Sequence, residues 1–200
     1  VKAQNAEAGD WFGLALALSA DGNTLAASAF SEAGNGSSPA DNSVTGAGAV
    51  YVFVRAGSTW TQQAYLKSSS PEASDAMGSS LALSSDGNTL VASAQGDDSN
   101  HTGTYAVTPA DNNLANNAGA AYVFTRTGAA WSQQAYLKPA NTGATQRFGN
   151  RTVIAGDGDT IVVGAYRESS ASSGLAGNPA DASALDTGAA YVFTRSGSTW

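Results

Sequence analysis

Three carboxylates recur in the same tripeptide: Asp41, Asp111 and Asp181 each close a Pro-Ala-Asp sequence. Acids repeated at one position offer a ligand or cation contact. The simpler reading is an Asx turn, in which the side chain accepts a bond from backbone two residues on. Asp10 and Asp75 fill a second repeated position, but its third copy holds Gln146. A charge required for chemistry would not be replaced there, and loop solvation accounts for both acids. Asp97-Asp98 and Asp157 with Asp159 read as solvated turns, weak cation contacts at most. The lone His101 stands in a polar loop with no serine-nucleophile motif and no second histidine nearby, so a catalytic triad is not expected. Trp11 has no counterpart in the other copies and is the aromatic to watch for sugar stacking or partner contact, against a simpler reading as a buried residue. The candidate ligand-binding residues are therefore Trp11, Asp41, Asp111 and Asp181. No catalytic residue, metal ligand or cofactor is expected.

These residues are positioned by a repeat. Gly48-Ala-Val-Tyr-Val-Phe-Val-Arg55 returns as Gly119-Ala-Ala-Tyr-Val-Phe-Thr-Arg126 and as Gly188-Ala-Ala-Tyr-Val-Phe-Thr-Arg195. Tyr51, Tyr122 and Tyr191 lie 71 and 69 residues apart, and Trp60, Trp131 and Trp200 keep the same spacing. A period this long marks one supersecondary unit copied in tandem. The units run over residues 1–67, 68–138 and 139–200.

Within each unit an Asp-Gly turn (Asp21-Gly22, Asp86-Gly87, Asp157-Gly158) joins two short apolar segments, a strong hairpin signal. A polar loop of about twenty residues follows, long enough to be functional or mobile. Then come the Tyr-Val-Phe strand, a glycine turn and the Trp-x-Gln-Gln-Ala-Tyr-Leu-Lys strand, giving four strands in meander order. Val1-Lys2 matches Leu66-Lys67 and Leu137-Lys138, the end of such a fourth strand, whereas the third unit stops at Trp200. Either the chain is a piece of a longer protein, or a neighbouring copy supplies the strand.

Both faces of the third strand are apolar: Tyr51 and Phe53 on one, Val50, Val52 and Val54 on the other. Such a sheet must be covered on both sides. Small residues dominate the first two strands and large aromatics the last two, which suits wedge-shaped sheets set radially. The Gln-Gln and Lys of the fourth strand mark it as the solvent-facing edge, and its tryptophans as outer packing residues. The expected fold is all-β, built of β-propeller blades: three four-stranded antiparallel repeats, the third incomplete, in a partial propeller or an assembly of blades.

Composition narrows the function class. The 23 glycines and 12% charged residues favour short strands and turns over helices. A net charge of −7 with scattered basic residues argues against nucleic acid and anionic membranes as partners. No apolar run is long enough to span a membrane. With no cysteine there are no disulfides and no thiolate metal sites. That is a common state for bacterial surface proteins, so a prokaryotic extracellular or cell-surface setting is expected.

Phe12-Gly13, Met77-Gly78 and Phe148-Gly149, each followed by an Ala-Ser-Ala or Gly-Ala segment and then Gly-Ala-x-Tyr-Val-Phe, resemble FG-GAP repeats. These are the blades of the integrin α-subunit propeller and of many bacterial secreted proteins. The likeness covers almost the whole chain, and the third copy is nearest the family pattern. It implies an extracellular adhesion or ligand-binding platform, with Phe-Gly loops and long loops emerging on one face. Many members bind calcium in the turn between the first two strands. Calcium takes about six to eight oxygens, and the one or two acids per turn here fall short, so that site is not carried over. The leading expectation is a non-enzymatic extracellular module for adhesion, surface structure or self-assembly. Its partners would be protein or glycan at the loop face, or neighbouring copies. The alternative is a glycan- or small-ligand-binding propeller, calcium-assisted or not.

Overall fold

A computed structural model describes residues 1–174, 177–178 and 181–200. Pro179 and Ala180 of the third Pro-Ala-Asp sequence lie outside the described residues. Those described contain twelve strands and no helix: β1 (Phe12–Leu18), β2 (Thr24–Ala29), β3 (Ala49–Ala56), β4 (Thr59–Leu66), β5 (Met77–Leu83), β6 (Thr89–Ala94), β7 (Thr104–Tyr105), β8 (Ala120–Thr127), β9 (Ala130–Leu137), β10 (Phe148–Ile154), β11 (Thr160–Ala165) and β12 (Ala189–Thr194). They form three antiparallel sheets, ordered β1-β2-β3-β4, β5-β6-β8-β9-β7 and β10-β11-β12. These are three blades of a partial propeller. Neighbouring blades meet through their first strands, β1 against β5 and β5 against β10, while β4 and β9 barely touch.

The Asp-Gly turns work as their residues dictate. Asp21 accepts the Ser19 hydroxyl at 2.6 Å and the Asn23 N–H at 2.9 Å, while Gly22 supplies the positive φ of 68°. Those bonds, the Ser19 hydroxyl foremost, hold the Asp21 carboxyl down to about 2. Asp86 repeats the arrangement with Ser84 and Asn88.

One expectation fails in the second blade. Its fourth strand is not the edge, because Thr104–Tyr105 of the long loop folds back as β7 onto β9, placing Tyr105 opposite Tyr136. Two β-prone residues with an aromatic partner suffice to pair there. Val1 and Lys2, expected as a strand end, are exposed and unpaired in any sheet.

The two faces of β3 behave as expected. Val50 and Val52 pack against Leu81, Leu90 and Tyr122 of the second blade, and Tyr51 and Phe53 form a cluster on the opposite face. In turn Val91 and Val123 on the back of the second blade pack against Phe148, Ile161 and Val163 of the third.

The glycines of the repeated motif allow blade backbones to touch. A Cβ on Gly78 would lie 2.5 Å from the Ser28 Cβ of the blade before, and one on Gly149 would lie 2.6 Å from that of Ser93. Past Gly48 and Gly119 runs the backbone of the next blade, so close that a Cβ would meet Met77 N at 2.3 Å and Phe148 O at 2.0 Å. Main-chain bonds lock each joint. Ser74, Ala76 and Met77 donate to the carbonyls of Thr45, Gly46 and Ala47, and Thr145, Arg147 and Phe148 to those of Asn116, Asn117 and Ala118.

Candidate functional site

The starts of the first and third strands and the ends of the second and fourth all emerge on one face, where the long loops lie. At the base of each loop sits an acid three residues beyond the second strand: Glu32, Asp97 and Glu168, all 2% exposed. Each closes a tight turn, its N–H bonded to Ala29, Ala94 or Ala165 and its carbonyl accepting from Gly48, Gly119 or Gly188 where the loop returns. The acid thus ties the beginning of the loop to its end.

The second blade has the fullest cluster. Asp97 accepts Tyr136 O–H at 3.1 Å, Tyr122 O–H at 3.2 Å and the Lys138 ammonium at 2.8 Å. Lys138 is 0% exposed, an extreme for lysine that the ion pair makes tolerable. Burial pulls the Lys138 ammonium below its ordinary value, and Asp97 opposes that pull. Burial, reinforced by Asp97, drives both tyrosines well above 10.

In the first blade Lys67 donates to the carbonyls of Glu32 and Ala33 at 3.1 and 2.8 Å, and Glu32 accepts Asn5 Nδ2 at 2.9 Å. Burial lowers the Lys67 ammonium to about 8 and raises the Glu32 carboxyl. The third blade holds Glu168 with Asn141 Nδ2 at 2.9 Å and the Ser170 hydroxyl at 2.9 Å, and among the described residues no ion pair reaches it. Tyr191 donates to Asn141 at 2.6 Å and is pushed up to about 12 by burial. These clusters were missed in reading the sequence, although a signal exists: an acid at a fixed offset from each second strand, a tyrosine in each third strand, and a lysine ending each complete fourth strand. Asp97, read there as a solvated turn residue, is buried because Lys138 and two hydroxyls replace its water.

The Pro-Ala-Asp acids lie in separate loops of this face and shape them. Asp41 receives the Ser43 N–H at 3.2 Å and the Asn35 N–H at 2.7 Å. Asp181 receives those of Ser183 at 3.0 Å and Ala171 at 2.9 Å. Asp111 receives the N–H of its turn partner, Asn113, at 2.9 Å. All three make the Asx turn, and two of them also cross-tie their loops. The bonds, led by Asn35, hold the Asp41 carboxyl below the usual range, whereas burial raises that of Asp111.

Asp10, Asp75 and Gln146 share one task that needs no charge. Each accepts the N–H three residues earlier: Glu7 at 2.6 Å, Glu72 at 2.8 Å and Gly143 at 2.9 Å. Loop solvation is not the reason for Asp75, which is 3% exposed. Asp159 pairs with Arg195 at 2.7 Å. His101 faces Tyr105 and the carbonyl of Ala110. Among the described residues no three acids or histidines converge to hold a metal ion.

Trp11 corrects the burial reading: it is 63% exposed and stacks on Phe30 with centroids 6.0 Å apart. Its positive φ of 55° belongs to the blade rather than to tryptophan, since Ala76 and Arg147 repeat it at 60° and 57°.

No curated protein matches the chain. Residues 131–193 match the model of the FG-GAP repeat family, a stretch that begins in β9 and runs through the whole third blade to Phe193 of β12. The matched stretch spans the joint between the second and third blades, including Gly149 seated over Ser93. Residues 131–193 of this all-β partial propeller are therefore similar to the FG-GAP repeat.

Proposed function

We propose that the chain is a non-enzymatic, extracellular propeller module that acts by contact, in adhesion, surface structure or assembly. The observation behind this reading is where its polar chemistry is spent. The buried acids, tyrosines and lysines bond one another at the loop bases, and Asp41 and Asp181 tie their own loops. What faces outward is loop surface. A surface of this kind recognises a partner by shape and by apolar area, as protein interfaces do. FG-GAP blades typically serve outside the cell, and no helix among the described residues is long and apolar enough to cross a membrane. A second reading, glycan or small-ligand binding at the loop face, is favoured by the exposed Trp11–Phe30 stack.

The test is binding of the immobilised chain to arrays of extracellular-matrix proteins and glycans, run beside a hydrolase substrate panel. Protein binding that survives Trp11→Ala supports the first reading. Glycan binding lost in Trp11→Ala supports the second, and turnover of any panel substrate overturns both.

A further inference from the structure

A notch of ≈ 170 Å³ opens on the loop face where the three blades meet, and Phe30, Ser31, Ser74, Ala76, Gln95 and Arg147 line it. Phe30 and Gln95 follow the second strands β2 and β6, whereas Ala76 and Arg147 precede the first strands β5 and β10. The space exists because of Ala76. At that blade position φ is 55°, 60° and 57° in turn, and the residues are Trp11, Ala76 and Arg147. Alanine leaves empty the volume that tryptophan or arginine takes in the neighbouring blades. The room so left is walled by Phe30 of the first blade and Arg147 of the third.

The chemistry of these walls is not spent within the chain. At the loop bases acids, tyrosines and lysines satisfy one another. Here, among the described residues, neither the Arg147 guanidinium nor the side chains of Gln95, Ser31 and Ser74 make a hydrogen bond or ion pair. Arg147, Gln95 and Ser31 are half-buried. No acid lines the notch, so the guanidinium is its one charge. Phe30 adds an apolar wall, held by its stack on Trp11.

These groups select a ligand class. A carboxylate meets a guanidinium through two parallel N–H···O bonds. Gln95 and two serine hydroxyls then remain, more than a bare carboxylate uses. They suit the hydroxyls of a sugar ring, whose C–H face suits Phe30. The volume falls below the roughly 300–1,000 Å³ of sites for drug-sized ligands, so one ring fits and a length of chain does not. We propose that the notch binds the terminal uronic acid of a glycan, its carboxylate on Arg147, its ring against Phe30 and its hydroxyls on Gln95, Ser31 and Ser74. The proposal rests on the glycan-binding reading and names the sugar class.

The experiment is a two-dimensional NMR titration of the isotope-labelled chain with methyl β-glucuronide, methyl β-glucoside and N-acetylglutamate. The three probes carry ring with charge, ring alone and charge alone. The glucuronide is expected to move the amide signals of Ala76, Gly96 and Arg147, and to bind at least tenfold more tightly than either of the others. Arg147→Ala should weaken it at least tenfold, on a backbone that Ala76 shows alanine to adopt. Ala76→Trp repeats Trp11, fills the notch and should abolish binding, while the β-sheet dispersion of both variants' spectra stays that of the parent. No shift with the glucuronide, or binding indifferent to both substitutions, overturns the proposal. Equal binding of N-acetylglutamate marks a bare carboxylate site and overturns the sugar. Neutral glycans held on the array by the parent and by Arg147→Ala, but not by Trp11→Ala, would keep the glycan reading and remove the uronic acid from it.

Discussion

Trp131 donates its indole N–H to Oε1 of Gln63, 2.9 Å away across a blade joint, and Trp200 does the same to Gln134 at 2.9 Å in the next joint. Arg126 and Arg195 reach the same acceptors at 3.3 Å while lying over the tryptophan rings at 5.4 and 5.3 Å. The tryptophans are thus latches between blades as well as outer packing residues. Gln63→Ala strands two donors in a partly buried place and is expected to cost about 1–2 kcal/mol. Gln62, whose oxygen accepts an exposed backbone N–H from Gln4, should tolerate alanine within about 0.5 kcal/mol. Urea denaturation of both variants decides, and equal losses would remove the latch.

Gly119→Ala places a methyl 2.0 Å from the carbonyl oxygen of Phe148, at a φ of +86°. Gly188→Ala imposes a similar backbone, φ +77°, with no atom closer than 3.4 Å. Strain at such a φ alone is worth about 1–3 kcal/mol, and both variants should show it. The excess loss in Gly119→Ala reports the joint between the second and third blades, and should reach at least about 2 kcal/mol because the obstructing atoms are backbone. Thermal unfolding of the pair tests this, and indistinguishable midpoints would mean that the blades slide apart at little cost.

Lys138 and Asp97 should behave as one unit. Asp97→Asn leaves a buried ammonium without its counter-ion and is expected to cost about 3–5 kcal/mol. Lys138→Met removes the charge that needs pairing but leaves Asp97 with two tyrosine hydroxyls, so its cost should be smaller. The double variant should lose clearly less than the sum of the singles, as groups in direct contact do. Additive losses in a double-mutant cycle would show that the pair is not coupled.

The blade was legible in the sequence because its signals are local: Asp-Gly turns, two apolar faces on the Tyr-Val-Phe strand, and a period fixed by tyrosine and tryptophan. The joints and the buried clusters were not, because they unite residues far apart in the chain. Asp97 and Asp98 are adjacent acids in a polar stretch, and only the offset that Asp97 shares with Glu32 and Glu168 separates the buried one from its neighbour. Only the fold brings Lys138, 41 positions away, to Asp97. Trp11 shows the converse. Tryptophan is usually well buried, but here it stands exposed, stacked on Phe30.

Asp75 gives the chain a pH dependence that its equivalents need not share. Burial, aided by Asp97 and Asp111 and opposed by the Glu72 N–H, pushes its carboxyl up to about 8. Unfolded, the group titrates near its ordinary value of about 4. Between those values the folded chain holds a proton that the unfolded chain has released, so stability falls as pH rises. The contribution is fully present below about pH 4 and is lost by about pH 8. Asp75→Asn keeps an oxygen for Glu72 and carries no charge, as the amide of Gln146 does in the third blade. The variant should match the parent near pH 4 and exceed it by at least about 1.4 kcal/mol at pH 8, the equivalent of one pK unit. Urea midpoints of both proteins at pH 4.5, 6, 7.5 and 8.5 measure the difference, since titrating groups that do not interact with Asp75 cancel between them. Parallel profiles would place the Asp75 carboxyl in its ordinary range and make its burial incidental.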